Sequence, residues 1–337
     1  MDRRLWIERT GLVAVHKRTK RRPGASRRSI RIVLIASFIV IAALAVLLEY
    51  GYLFTGPSGI QPASNNIVGS SAETKVLNFS SIVEQVYPAQ GVTLPVKWGS
   101  IPRQLVDSGA LNLSFVEGSL ISANQSLTGG ELGLLNGTSN GNITFSQGSA
   151  LFTLYVLWAV GINNRNFIIN NGPVMNYGGS PYDLASTGGY GPLGKLSLGN
   201  LSLIDLNASQ QDLVDTIASN VYRPCCDNPA MFPDCNHGAA QLGLIELMVS
   251  QGKNETQIYN ALKEFNSFYY PQQYFYIAVF FNYTQGKSWN NVPANEVLGY
   301  NFSSATGYSN VYEAIESSNV LGQSSQQRGG AGGACST

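Results

Sequence analysis

SALFTLYVLWAVGI, residues 149–162, is apolar on nearly every face of a helix, and its 14 residues fall short of the roughly 20 that cross a bilayer core. A helix buried in a helical core is the resulting expectation. The run Gly238 to Ser250 (GAAQLGLIELMVS) has the same character, and Gly252 ends it. Helical signals continue outward from these two runs. Pro102 to Ser108 carries Leu105 and Val106 and stops at Gly109. Ser209 with Asp212 forms a capping pattern for a helix through Val221, with Leu213, Val214, Ile217 and Val221 turned inward. Asn254 with Gln257 caps another, whose Ile258, Leu262, Phe265 and Tyr269 recur at helical spacing and form one face. Pro271 opens an aromatic segment, QQYFYIAVFFNY, compatible with helix or strand. Only residues 111–148, with Gly, Asn and alternating apolar positions, suggest strands. The class expected is mainly α, with a short β or irregular insertion there.

The chain ends carry a different signal. Ile32 to Leu48 (IVLIASFIVIAALAVLL) is an uncharged run, apolar throughout except for Ser37, and apolar character resumes past Glu49 through Tyr50, Tyr52, Leu53 and Phe54. That length predicts one transmembrane helix over residues 32–54. Residues 1–31 hold 11 Lys or Arg against Asp2 and Glu8, whereas beyond residue 50 Asp and Glu outnumber Lys and Arg 17 to 10. By the positive-inside rule, residues 1–31 are a basic cytoplasmic tail and everything after Phe54 is extracellular, giving a single-pass protein of the cell membrane held by a signal-anchor. A cleaved signal peptide is the alternative, and the long basic head with no small-x-small site after Leu48 counts against it. Ser26-Arg27-Arg28-Ser29-Ile30 also has the form of a twin-arginine export signal, although a stop of positive charges explains it equally well. Residues 55–74 are rich in Gly, Ser, Pro and Asn and predict a linker, 75–320 a mainly helical extracellular domain, and 321–337 a disordered Gly/Ser-rich tail.

Asn-x-Ser/Thr sequons occur at Asn78, Asn112, Asn124, Asn136, Asn142, Asn200, Asn207, Asn254, Asn282 and Asn301, all after the membrane segment. With only 12% charged residues, this suits an extracellular glycoprotein of a prokaryote such as an archaeon. Membrane orientation accounts for the basic head, so nucleic acid is not an expected partner. The expected partners are the membrane and other cell-envelope proteins.

One loop carries the chemistry. YRPCCDNPAMFPDCNHG, residues 222–238, gathers three of the four cysteines and one of the two histidines: Cys225, Cys226, Cys235 and His237. Three thiolates and an imidazole make a closed tetrahedral zinc site, and copper(I) also favours soft thiolates. Cys235 and His237, two apart, face one side of an extended strand, while Pro224, Pro229 and Pro233 stiffen the loop that returns Cys225 and Cys226. A helix beginning at Gly238 disfavours a protonated His237 and so helps a metal-ligating one, with Gln241 as its supporting partner. Outside a cell the competing expectation is a disulfide from Cys235 to Cys225 or Cys226, which would stabilise by about 2–3 kcal/mol. The staple leaves the third cysteine and the histidine unexplained. A third reading is a redox enzyme in which the vicinal pair cycles between dithiol and disulfide. No catalytic residue is assigned.

The strings LPVKWGSIPRQLVDSGAL, LWAVGINNRNF, ASTGGYGPLGK and YRPCCDNPAMFPDCNHGAAQLGLIELMVSQG lie within residues 91–300. They resemble an uncharacterised family of membrane-anchored or exported proteins from candidate-phylum bacteria and archaea. The resemblance implies an intact domain with a distinctive site and supplies no activity; Cys335 lies outside its pattern. Other candidates are weaker. Gly189-Tyr190-Gly191-Pro192-Leu193-Gly194-Lys195 imitates a phosphate loop, but no apolar strand precedes it and Leu196 replaces the required hydroxyl, so a Gly-rich turn is expected and no nucleotide. Glu246, inside an apolar helix, is either a proton-handling carboxylate or a partner of core amides. Asp227 and Asp234 are turn formers that could also offer an oxygen ligand. The aromatic cluster at 268–283 could stack a sugar or haem, and core packing is its ordinary use. His237 has no GxSxG elbow to serve as a hydrolase base.

Overall fold

The computed structural model describes residues 77–176 and 192–321, of which 59% are helical and 6% lie in strands or bridges. The mainly α class therefore holds. In chain order the first elements are α1 (Phe79–Val86), β1 (Val92–Lys97), α2 (Ile101–Asp107), α3 (Leu113–Ser122), α4 (Gly129–Asn136) and β2 (Asn142–Phe145). They are followed by α5 (Ala150–Asn163), α6 (Phe167–Asn171), α7 (Pro173–Asn176), α8 (Ala208–Ala218), α9 (Asn236–Ser250), α10 (Glu255–Tyr269) and α11 (Pro271–Gln285). A 3-10 turn (Trp289–Asn291), α12 (Ala294–Val297), α13 (Tyr300–Ser303) and α14 (Ala305–Ser317) complete the described residues.

The two apolar runs are the two central helices, and they pack on each other. From Phe152 onward every residue of α5 except Tyr155 is buried, as is α9 from Gly238 to Val249. Their backbones touch, which glycine alone permits: a Cβ on Gly161 would run into the Ala239 carbonyl, and one on Gly243 into the Leu157 carbonyl. α10 lies beside them, closed by the Asn254–Gln257 capping box and burying Ile258, Leu262 and Phe265 as its spacing requires. α8 is also capped by a box, but from Asn207 and Gln210, two residues before the Ser209 expected from the sequence. It ends at Ala218, so buried Val221 packs from the following loop. The aromatic segment after Pro271 is helix α11. Its Tyr274, Ile277 and Phe281 meet Val86 of α1 and Val311 and Ile315 of α14 in a second hydrophobic core.

Residues 111–148 depart from expectation. They form two helices, α3 capped by Asn112 and α4 by a Thr128–Glu131 box, and only one strand. Local capping decides this, because each cap satisfies orphan N–H groups that a strand would have had to pair elsewhere. β2 pairs antiparallel with β1, Val92 opposite Phe145 and Thr93 opposite Thr144. β1 buries Leu94 and Val96 on alternate positions, a strand that the sequence reading had not identified. Nine of the ten sequon asparagines are exposed and Asn282 is half-buried. Four of them, Asn78, Asn112, Asn207 and Asn254, are helix N-caps, so capping accounts for part of the excess.

Among the described residues no helix is long and apolar enough to cross a membrane. The basic tail, the expected membrane segment at 32–54, the linker at 55–74, Gly189 and Gly191, and the tail from 322 with Cys335 lie outside the described residues.

Candidate metal centre

The cysteine loop is shaped by backbone bonds at both ends. After α8 the chain doubles back, Ala230 N donating to the Val221 carbonyl (2.8 Å) and Met231 N to that of Ala218 (3.0 Å). Ala305 N at the start of α14 donates to the Cys226 carbonyl (3.0 Å). Cys235 then takes extended backbone and caps α9, its Sγ accepting from Gly238 N at 3.4 Å. α9 therefore begins at Asn236 and not at Gly238. His237 stands in its first turn, and the expected shared strand face with Cys235 does not form, because the sulfur itself serves as the helix cap.

Three sulfurs converge. Cys225 Sγ is 4.0 Å from Cys226 Sγ and 3.9 Å from Cys235 Sγ, and all three lie within 4.8 Å of one another. Such a group can hold a metal ion. All three are free thiols; their spacing is nearly twice the roughly 2.05 Å of a disulfide, so the expected staple is not present. Tyr270, at the corner between α10 and α11, donates its hydroxyl to Cys225 Sγ (3.0 Å). Fully buried Arg223 holds the other side. Its Nε donates to Cys235 Sγ (3.0 Å), Nη1 to the Asn228 carbonyl (2.8 Å), and Nη2 to the Phe232 carbonyl (3.2 Å) and Asp234 Oδ1 (2.8 Å). One guanidinium thus ties four points of the loop together. Gly238 leaves room for it, since a Cβ there would lie 2.5 Å from the guanidinium carbon.

This arrangement makes the sulfurs unequal. Cys235 is held well below the usual thiol range because the Cys225 and Cys226 thiols donate to it, outweighing burial, with the Arg223 charge and His237 adding to the effect. Cys225 is pushed far up, first of all by its hydrogen bonds with Cys226 and Cys235. Cys226 is raised too: the Cys225 thiol pulls it down, but its link to Cys235 and burial outweigh that. Burial acts against the Arg223 cation, and the three sulfurs, Cys235 first, more than offset it. The Cys235 sulfur therefore lies between the Arg223 guanidinium and the start of α9, both of which favour its thiolate form.

The remaining expected residues fall around this centre. His237 is outside the three-sulfur group; its ring packs on Tyr270 and Tyr269, with centroids 4.9 and 5.5 Å away. Burial pulls its pKa down to about 4 despite the opposing pull of Cys235, so the imidazole is neutral. Gln241 does not support it, donating instead to Asn266 Oδ1 (2.8 Å). Asp227 accepts from Thr306 N and Oγ1, both at 2.8 Å, and Asp234 from Arg223 and Asn228, so both serve the loop's structure. Glu246 accepts from Asn164 and Asn166, the core-amide outcome. Gly194 packs on the Gly109 carbonyl and Lys195 N donates to that carbonyl (2.7 Å), as a tight turn does. Arg223 and Tyr270 were not identified from the sequence. Arg223 had a signal, a cation two residues before a cysteine pair in a chain only 12% charged; Tyr270, 45 residues from Cys225, had none. No family model, curated protein or solved structure matches the chain.

Proposed function

We propose that this domain holds one soft metal ion, copper(I) or zinc, on Cys225, Cys226 and Cys235, and that it stands on the outer face of a cell membrane to capture or hand on that ion. The observation that carries this reading is the sulfur spacing of 3.9 and 4.0 Å. Metal–sulfur bonds of about 2.3 Å separate three sulfurs by about 4.0 Å around a planar centre and about 3.8 Å around a tetrahedral one. Two of the three sulfur–sulfur distances already have that spacing, and the third lies within 4.8 Å. Copper(I) is favoured, because three soft donors suffice for it. Zinc needs a fourth ligand, the role left for neutral His237. Arg223 offsets the negative charge that thiolates leave around either ion.

Cys225 is the exposed member and gives a thiol of a cell-envelope partner a route for ligand exchange. The basic head and the apolar run at 32–54 support membrane anchorage. Elemental analysis with a thiol count on the purified protein tests the reading: one ion per chain is expected, with three reactive thiols in residues 77–321 after its removal and no retained ion in Cys235→Ser. Metal-free protein with two of those thiols missing would instead establish the disulfide-stapled alternative.

A further inference from the structure

We infer that the cleft between the first turns of α10 and the loop after the 3-10 turn binds a neutral saccharide. The cleft has a volume of about 440 Å³, within the range of roughly 300–1,000 Å³ common for small-ligand sites. Glu255, Thr256 and Asn260 line one wall and Asn290, Asn291 and Asn295 the other. None of these four asparagine side chains, nor the Thr256 hydroxyl, makes a hydrogen bond within the described residues. Each free amide offers one acceptor and two donors, the complement of sugar hydroxyls, which donate and accept at once. Glu255 is the one charged side chain in the lining, too little for a cation, and no base is present for a phosphate. A peptide would need apolar pockets for its side chains, and the apolar lining is only Tyr259 and the short stretch Val292 to Ala294.

The cleft is also held open. Buried Lys263, which the metal centre does not use, donates Nζ to the carbonyls of Trp289 (2.7 Å) and Val292 (3.0 Å) and lies 4.1 Å from the centre of the Trp289 ring. That fixes the loop opposite α10 before any ligand arrives, which lowers the ordering cost of binding. The saccharide has two possible sources: a free or envelope sugar, or the glycan on Asn254, whose sequon Asn254-Glu255-Thr256 itself supplies two of the lining residues.

Calorimetric titration of the full chain, made without glycosylation, with glucose, mannose and N-acetylglucosamine in turn tests the inference. At least one is expected to bind, about tenfold more weakly in Asn260→Ala and in Asn290→Ala, at unchanged thermal midpoints and with Cys235→Ser binding as wild type. In a glycosylating host, Asn254→Asp keeps the cap and removes the sequon. Binding by that variant but not by the wild type from the same host makes the chain's own glycan the occupant; binding by both makes it a free sugar. No binding of any of the three by the unglycosylated chain, full-strength binding by both asparagine variants, or tighter binding of the tripeptide Gly-Ala-Gly overturns the inference.

Discussion

Two buried ionisable side chains are anchored along α9, one at its start and one in its second half, and they are held in opposite ways. Arg223 lies against Gly238 and is met by a thiol sulfur, a carboxylate and two carbonyls. Glu246 is met only by the neutral amides of Asn164 and Asn166. The oxygens of those amides accept in turn from the backbone of Leu203, Ile204 and Ile168, so the Glu246 cluster ends in main chain and clamps two loops onto α9. The Arg223 cluster ends in sulfurs, of which Cys225 is exposed. Burial alone does not distinguish a clamp from a site. What distinguishes them is whether the partners are used up.

The largest effect expected is from Arg223→Met. It leaves Asp234 and the loop carbonyls without their cation and should cost about 3–5 kcal/mol by denaturant unfolding, with metal uptake weakened as the sulfurs separate. A loss under about 1 kcal/mol would mean that the guanidinium does not hold the loop. Next, Glu246→Ala should cost about 3 kcal/mol, because both amides lose their acceptor and a cavity opens; metal stoichiometry should stay unchanged, which sets the clamp apart from the site. Gly238→Ala should cost about 1–3 kcal/mol by pressing on Arg223, and it should weaken metal binding where Glu246→Ala does not.

Smaller but more specific is the pH dependence. Burial raises the Glu246 pKa to about 8, outweighing the hydrogen bonds from Asn164 and Asn166, against about 4.3 in an unfolded chain. Its contribution is complete below the unfolded value and is lost as pH rises through the folded one. The stability of wild type over Glu246→Gln should therefore shrink between about pH 4.3 and pH 8. A gap that is constant across that window contradicts the clamp. Least is expected of His237→Ala for copper(I): uptake of one ion per chain should persist by elemental analysis, because three sulfurs suffice.

The helices that bury these groups were readable in advance because their signals are local. α5 and α9 are apolar on nearly every face, and α10 carries its cap and its 3.6-residue stripe within a few turns of itself. β1 was not, because VTLPVK becomes a strand only through pairing with β2 about 50 residues later. Residues 111–148 misled in the other direction: glycines hid two short helices whose caps, Asn112 and Thr128, outweigh weak periodicity. At the site, the cysteines announced themselves by spacing. Their inequality did not, since it depends on Arg223 folding back under Gly238, on Tyr270 arriving from a helix corner, and on α9 starting early enough to make Cys235 its cap.

X-ray absorption at the edge of the bound metal, on the full chain loaded with copper(I), tests the three-sulfur centre most directly. A shell of three sulfurs at about 2.3 Å with no imidazole nitrogen is the result expected. A shell of two sulfurs, or one completed by His237 nitrogen, would contradict it.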